Sequence, residues 1–486
     1  MEFDDLYLRS NDTEIKDYLK FSYNSSKDLS NFIHEVNILA RLDEAALDIQ
    51  DLKYFTESLG NIEDRIFISG EIEGTVDDLA SDELLVRFGE KSALFGKFKI
   101  DGLPNIDSTF FELSLLNSVL NSNDLSPYIG ENARKEINKF KDVRFDTDFS
   151  GYLDYFTANG NFRTGIGTII GRLSFKTENN KPTYTGRLQL ENLDIGVLVE
   201  DPENFQKVTM TGQIKGTGLT LETALLQVDA DIKSAGINGY NYVNIVTDAT
   251  YGKDLFRGNL RVNDPNLKGE LSGVLDLREG KDSIRLTAKL DTAFLKELNL
   301  MEQDAFVSGK IALDTKGVTL DDIEGIARFS DVNLSYEGRN LFIDNFYFQS
   351  LFTDESRLIS LNSDLLVAGI SGKFKVRQLL EDITNLSQQY LAILTNSDEK
   401  ISLRADANEE PYSIDLNLNF IDINPIINLL EPRASISKNT IIEGAFYQTP
   451  DNTIFNFFSS IDTIYYDGNF LYDTNLDFNT SKLIIR

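Results

Sequence analysis

The strongest constraint in this chain is a period of two with almost nothing to lie against. From Tyr412 to Phe420, apolar Tyr412, Ile414, Leu416, Leu418 and Phe420 alternate with Ser413, Asp415, Asn417 and Asn419. Successive side chains of a strand point to opposite faces, so this run is a strand with one greasy and one wet side. Ile284, Leu286, Ala288 and Leu290 repeat the pattern. Leu275 and Leu277 share a face, as do Phe98 and Ile100 in the run from Ala93. Read in this way the whole chain holds roughly thirty strands, joined by turns such as Asn159-Gly160 and Asp264-Pro265-Asn266. Helix is expected only near 51–59, 127–140, 378–395 and 424–430. Ser126-Pro127 opens the second, and Leu379, Ile383, Leu386, Tyr390 and Leu394 recur at helical spacing in the third. A face apolar over so many strands needs cover, and so little helix cannot supply it. Either the sheet packs on itself or it curls into a trough. The expected fold is mainly β: an elongated antiparallel sheet curled into an open U-shaped trough, with a few short helices.

The units repeat. Leu47-Asp48-Ile49, Leu193-Asp194-Ile195, Leu290-Asp291-Thr292 and Ile421-Asp422-Ile423 each lead through a short helical stretch into a new strand. Those strands carry Gly70, Gly212, Gly309 and Gly444, which follow the aspartates by 22, 18, 18 and 22 residues. A looser copy runs from Asp124 to Gly151. Repetition on this scale marks stacked supersecondary units that cannot bury their apolar faces alone. One continuous β-repeat array is therefore expected over 1–486, with repeats opening near 47, 124, 193, 290 and 421. The glycines suit bulges or close backbone approach. The start, MEFDDLYLRSND, reads as strand and has no basic-then-apolar leader pattern, so an internal fragment of a longer protein is expected.

Composition narrows the chemistry. A net charge of −31 lacks the clustered Lys and Arg that phosphate backbones require, so no nucleic-acid partner is expected. Without cysteine there is no disulfide, thiolate nucleophile or Cys-based metal site. The single histidine, His34, cannot build a triad or a His-based metal site by itself. The pairs Asp77-Asp78 and Asp321-Asp322 could flank a glycosidic bond, but 78 acidic residues produce such pairs by chance. The chain is expected to be no enzyme and to need no metal or cofactor. A polysaccharide-handling solenoid would instead show aromatics clustered with acidic pairs on one exposed face.

Three stretches carry a resemblance. They are ISGEIEGTVDDLA at Ile68–Ala80, GKFKIDGLPNIDSTFF at Gly96–Phe111, and the most specific, Gly239–Leu277. The last has the turn Asp264-Pro265-Asn266-Leu267 between two strands, with Gly273 in the second. Together they resemble the translocation and assembly module B (TamB) family of the AsmA-like superfamily, over most of Met1 to about residue 430. The resemblance implies a "β-taco", a U-section sheet lined with hydrophobic side chains. It also implies a place in the periplasm of Gram-negative bacteria, within a protein anchored in the inner membrane. Phospholipid or another acyl lipid, and an outer-membrane assembly protein, are the implied partners. The family's anchor helix and C-terminal domain are not recognisable in this sequence. The function expected is lipid transport between inner and outer membranes in support of outer-membrane biogenesis, with a non-conducting assembly scaffold as the alternative. On apolarity, the candidate groove residues are Phe98, Ile100, Leu275, Leu277, Ile284, Leu286, Tyr412, Ile414, Leu416, Leu418 and Phe420.

Overall fold

The computed structural model describes residues 1–10, 12–52, 64–179, 181–354, 356–382, 384, 411–449 and 452–479. They fall into two compact units, Met1–Lys253 and Asp254–Arg486. The first contains β1 (Glu2–Ser10), β2 (Thr13–Ser22), β3 (Asn37–Asp48), β4 (Arg65–Thr75) and β5 (Asp78–Phe88). It continues with β6 (Ser92–Asp101), β7 (Phe110–Asn121), β8 (Asp142–Gly151), β9 (Tyr155–Thr164) and β10 (Gly167–Glu178). It ends with β11 (Lys181–Asp194), β12 (Phe205–Thr217), β13 (Leu225–Ile237) and β14 (Tyr240–Gly252). The second unit opens with β15 (Leu255–Asn263), β16 (Leu267–Asp276), β17 (Ser283–Phe294), β18 (Ala305–Lys316) and β19 (Glu324–Tyr336). Then come β20 (Arg339–Phe352), β21 (Arg357–Ser363), β22 (Val367–Lys373) and β23 (Tyr412–Phe420). The last are β24 (Ala434–Ile436), β25 (Thr440–Thr449), β26 (Asn452–Tyr466) and β27 (Asn469–Asn479).

Within each unit the strands pair antiparallel with their neighbours in sequence. The departures come late, where β23 pairs with β25 and β24 with β26. The fold is mainly β, with few short helices, and the sheet is not closed into a barrel. This is the open antiparallel architecture that the one-sided alternation predicts.

The curl comes from the register. Pairing shifts between Leu42 and Ala45, between Leu115 and Ser118, and between Leu190 and Leu193. Each shift contains one residue in the left-handed region: Glu44 at φ +50°, Asn117 at +47° and Asn192 at +50°. A bulge of this kind inserts one residue, bends the strand and raises its twist. The ladder loses an amide partner there, and in each case a side chain on the facing strand replaces it. The amides of Glu44, Asn117 and Asn192 donate to Ser69 Oγ (3.0 Å), Asp146 Oδ1 (2.7 Å) and Thr209 Oγ1 (3.1 Å). Close beside the bulges, glycine faces leucine across neighbouring strands, in the order Gly70, Leu84, Gly96, Leu115. At Gly96 (φ +149°) a Cβ would stand 2.1 Å from the Ser114 carbonyl oxygen, so no larger residue fits. Leu84 and Leu115 fill the space and are buried with Phe98 and Phe145.

The repeated aspartates explain the short helices. Asp48, Asp194 and Asp422 end strands or strand extensions and accept the amides of Gln50 (2.8 Å), Val197 (3.2 Å) and Asn424 (3.3 Å). An aspartate here satisfies an orphan N–H at a helix start. Helices Ile49–Leu52, Ile195–Val199 and Asn424–Leu430 follow. The fourth, Asp291, pairs instead with Lys289 within β17 at 2.8 Å. Glu131–Asn138 is helical within the 127–140 expectation. Residues 376–382 are helical, and the rest of the helix expected at 378–395 lies outside the described residues except for Thr384. So does most of the one expected at 51–59.

One buried carboxylate and one buried guanidinium lock turns. Asp124 accepts the amides of Glu90 (3.0 Å), Lys91 (2.8 Å) and Ser92 (2.8 Å) and the Ser92 hydroxyl (2.8 Å). Burial works against its charge, but these donors outweigh it and hold the carboxyl below its usual range. Arg357 has only 2% of its surface exposed. It donates to Ser350 Oγ (3.1 Å) and to the carbonyls of Leu320 (2.9 Å) and Ile323 (3.0 Å), fixing the β18–β19 connection.

Two outcomes test this account of the turns and bulges. Asn117→Val should cost about 1–2 kcal/mol in urea unfolding, because a β-branched residue resists the left-handed region, while Asn117→Gly should be near neutral. Equal tolerance of both would show that the bulge is not held as described. Asp124→Asn should cost about 1–3 kcal/mol at neutral pH. The folded carboxyl is depressed, so its contribution is full above the ordinary carboxylate pKa and fades as pH falls through the folded value. The gap between parent and variant should therefore narrow on acidification; a constant gap would contradict the assignment.

Candidate functional site

Cross-strand pairing turns the candidate groove residues into rows. In the first unit Phe98 of β6 faces Leu113 of β7, which faces Phe149 of β8. The row continues through Ala158, Leu173, Gly186, Ile214 and Val228 to Ala249 of β14. Ile100 packs on the same buried cluster as Phe98. Beside this row the rings of Phe149, Phe156 and Phe175 stack at centroid distances of 5.0 and 5.3 Å. A second cluster, around Leu188, Leu190, Met210 and Val228, continues the apolar face over β10 to β13. Ile195, Val197 and Leu198 of the short helix Ile195–Val199 pack against it.

The second unit builds a row of its own. Gly273 faces Leu286, and the register then runs through Leu313, Ala327, Phe348, Leu361 and Ala368 to Leu418 and Ile442. Leu275 faces Ile284 one step along the same strands. Leu416 faces Ile370 and Gly444, and Phe420 faces Thr440. Leu277 lies just past the end of β16, where its amide donates to the Asp254 carbonyl at 2.8 Å.

Tyr412 and Ile414 sit differently from their neighbours on β23. Both are sealed against Phe374, Leu379 and Phe446, with the Tyr412 and Phe446 rings stacked at 5.4 Å. Leu379 belongs to the helical residues 376–382, and the Tyr412 hydroxyl donates to Asp382. Burial raises the Asp382 carboxyl, against the lowering effect of that hydroxyl. The helix thus covers the start of β23 and leaves Leu416, Leu418 and Phe420 half-buried.

Half-burial is the property these rows share. Leu113, Phe149, Leu173, Ile214, Leu286, Leu313, Phe348, Leu361, Leu418 and Ile442 are all neither sealed nor bare. The alternate residues Arg285, Thr287 and Lys289 of β17 are exposed. Within the rows Val228, Ala249 and Ala327 are sealed, and so is Phe98, a groove candidate that packs into the buried cluster of Leu84, Leu115 and Phe145 instead of facing an opening. An apolar face in this state has room for a further apolar layer.

The remaining candidates serve turns. His34 Nδ1 lies 2.6 Å from Asp77 Oδ2, in the open, and Asp77 also accepts the Thr75 hydroxyl at 2.6 Å. That hydroxyl first, and His34 second, hold the Asp77 carboxyl below its usual range. Asp321 accepts the Arg377 amide at 3.0 Å, and Asp322 accepts the Thr319 amide at 2.7 Å.

Comparison with protein-family models, with curated proteins and with solved structures finds no match for this chain. The class is therefore defined by geometry: an open, curled antiparallel sheet whose strands line up apolar side chains in rows.

The absence of cysteine makes openness measurable, since any introduced thiol is the only one present. Leu286→Cys and Leu418→Cys should react with a maleimide in native buffer at least roughly tenfold faster than Phe446→Cys, whose parent side chain is 1% exposed. Equal protection at all three positions would mean that the rows are sealed.

Proposed function

We propose that this chain is a bridge-like lipid-transfer segment, along which phospholipid acyl chains travel against the apolar rows. The observation that carries the reading is the half-burial of those rows over strand after strand. Each methylene withdrawn from water is worth roughly 0.8 kcal/mol, so an unbroken row holds a moving chain at nearly constant free energy. The headgroup stays in water, and no bond forms or breaks. With the TamB resemblance, the setting is the periplasm, between inner and outer membranes, in support of outer-membrane biogenesis. An outer-membrane assembly protein is the proposed partner.

A scaffold that conducts no lipid is the second reading, and β27 favours it. Among the described residues β27 pairs only with β26. Phe470, Leu471 and Tyr472 on it are exposed, in a form suited to strand addition. Phospholipid transfer between donor and acceptor vesicles decides between the readings. Transfer should occur with the parent chain and fall to background with Leu286→Asp or Leu416→Asp, whose circular dichroism should be unchanged. Transfer unaffected by either charge, or absent from the parent chain, would leave the scaffold.

A further inference from the structure

We infer that the polar face of the Met1–Lys253 unit is a binding groove for a linear, uncharged oligosaccharide. This is the face opposite the apolar row, so the inference does not depend on lipid conduction. Three adjoining depressions lie on it, of about 390, 590 and 540 Å³. Ser114, Asp148 and Asn159 line both the first and the second, and Tyr155 lines both the second and the third. Shared walls make them one groove running across the strands.

Its floor is a ladder. Ser150, Thr157, Ser174, Thr185, Lys215 and Gln227 face one another in register, one from each of β8 to β13. Neighbouring strands stand about 4.8 Å apart, close to the advance of one sugar residue along an extended glycan. The Ser and Thr hydroxyls and the Gln227 amide both donate and accept, as the hydroxyls of a pyranose do, and the Lys215 ammonium donates. Thr157 Oγ1 and Ser174 Oγ already lie 3.0 Å apart in this ladder.

Tyr155 supplies the platform. It is 56% exposed at the point where two depressions meet, and the Lys176 ammonium sits 5.4 Å from its ring centroid. An exposed tyrosine offers an apolar ring to the C–H face of a sugar and a hydroxyl to its edge. Charge argues against an anionic ligand. Lys176 is paired with Glu178, and over the three depressions five lining carboxylates stand against the cations Lys97, Arg172, Lys176 and Lys215. Phosphate-bearing or uronic polymers would meet no net positive field here. The apolar row on the reverse face is the lipid candidate.

Isothermal titration calorimetry of the full chain with cellohexaose and chitohexaose tests the inference. At least one of them should bind, and Tyr155→Ala and Gln227→Ala should each weaken binding by about tenfold or more. Both parent side chains are exposed, so circular dichroism should not change. Leu286→Asp should leave glycan binding intact, and Tyr155→Ala should leave lipid transfer intact. Silence with both probes at millimolar concentration would overturn the assignment. So would binding that survives both substitutions, or binding lost on Leu286→Asp.

Discussion

The structure depends on register. Side chains alternate faces along a strand, so a slip of one residue would move every apolar group to the wet side. Here the register is held by hydrogen bonds between neighbouring strands and by bulges at repeated positions. Glu44, Asn117 and Asn192 take the left-handed conformation, and Ser69, Asp146 and Thr209 catch the amides released. Because each bulge is tied to a polar side chain of the facing strand, moving it would strand a donor. Curl and register are therefore specified together, and the apolar rows are their joint product.

Leaving an apolar face half-covered has a thermodynamic cost. Apolar surface left in water forgoes roughly 25 cal/mol per Å² of stabilisation. In the first unit the loss is offset at creases, where glycine opposite leucine lets backbones close and seals side chains such as Leu84 and Leu115. It is offset again at the locked turns of Asp124 and Arg357. These sealed clusters and locked turns hold the sheet while most of each row stays half-covered.

Much of the fold is visible in the sequence because period-two patterning is local. The run from Tyr412 to Phe420 declares a one-sided strand without any partner, and the Leu-Asp-Ile triplets declare capped turns. Register is not local. Nothing in the sequence says that Leu313, Phe348 and Leu361 fall in line with Leu286 and Leu418; strand pairing alone does so. The sealing of Tyr412 and Ile414 depends on a helix that precedes them by some thirty residues and returns to cover them. Arg357 looks like any surface arginine until the carbonyls of Leu320 and Ile323 are found around it. The bulges left a faint trace, an Asn or a charged residue interrupting the alternation, and Asn117 and Asn192 could have been read in that way. Polar ladders such as Thr157 and Ser174 leave no trace, since a solvated face and a binding face have the same composition.

Photocrosslinking from within the rows tests the central claim most directly. A photoreactive phenylalanine analogue is placed at Phe149, at Phe348 and, on the opposite face, at Tyr155, and the adducts formed in cells are weighed. Lipid masses at Phe149 and Phe348, with none at Tyr155, are what an open, acyl-bearing row predicts. Protein adducts alone, or lipid captured equally on both faces, would contradict it.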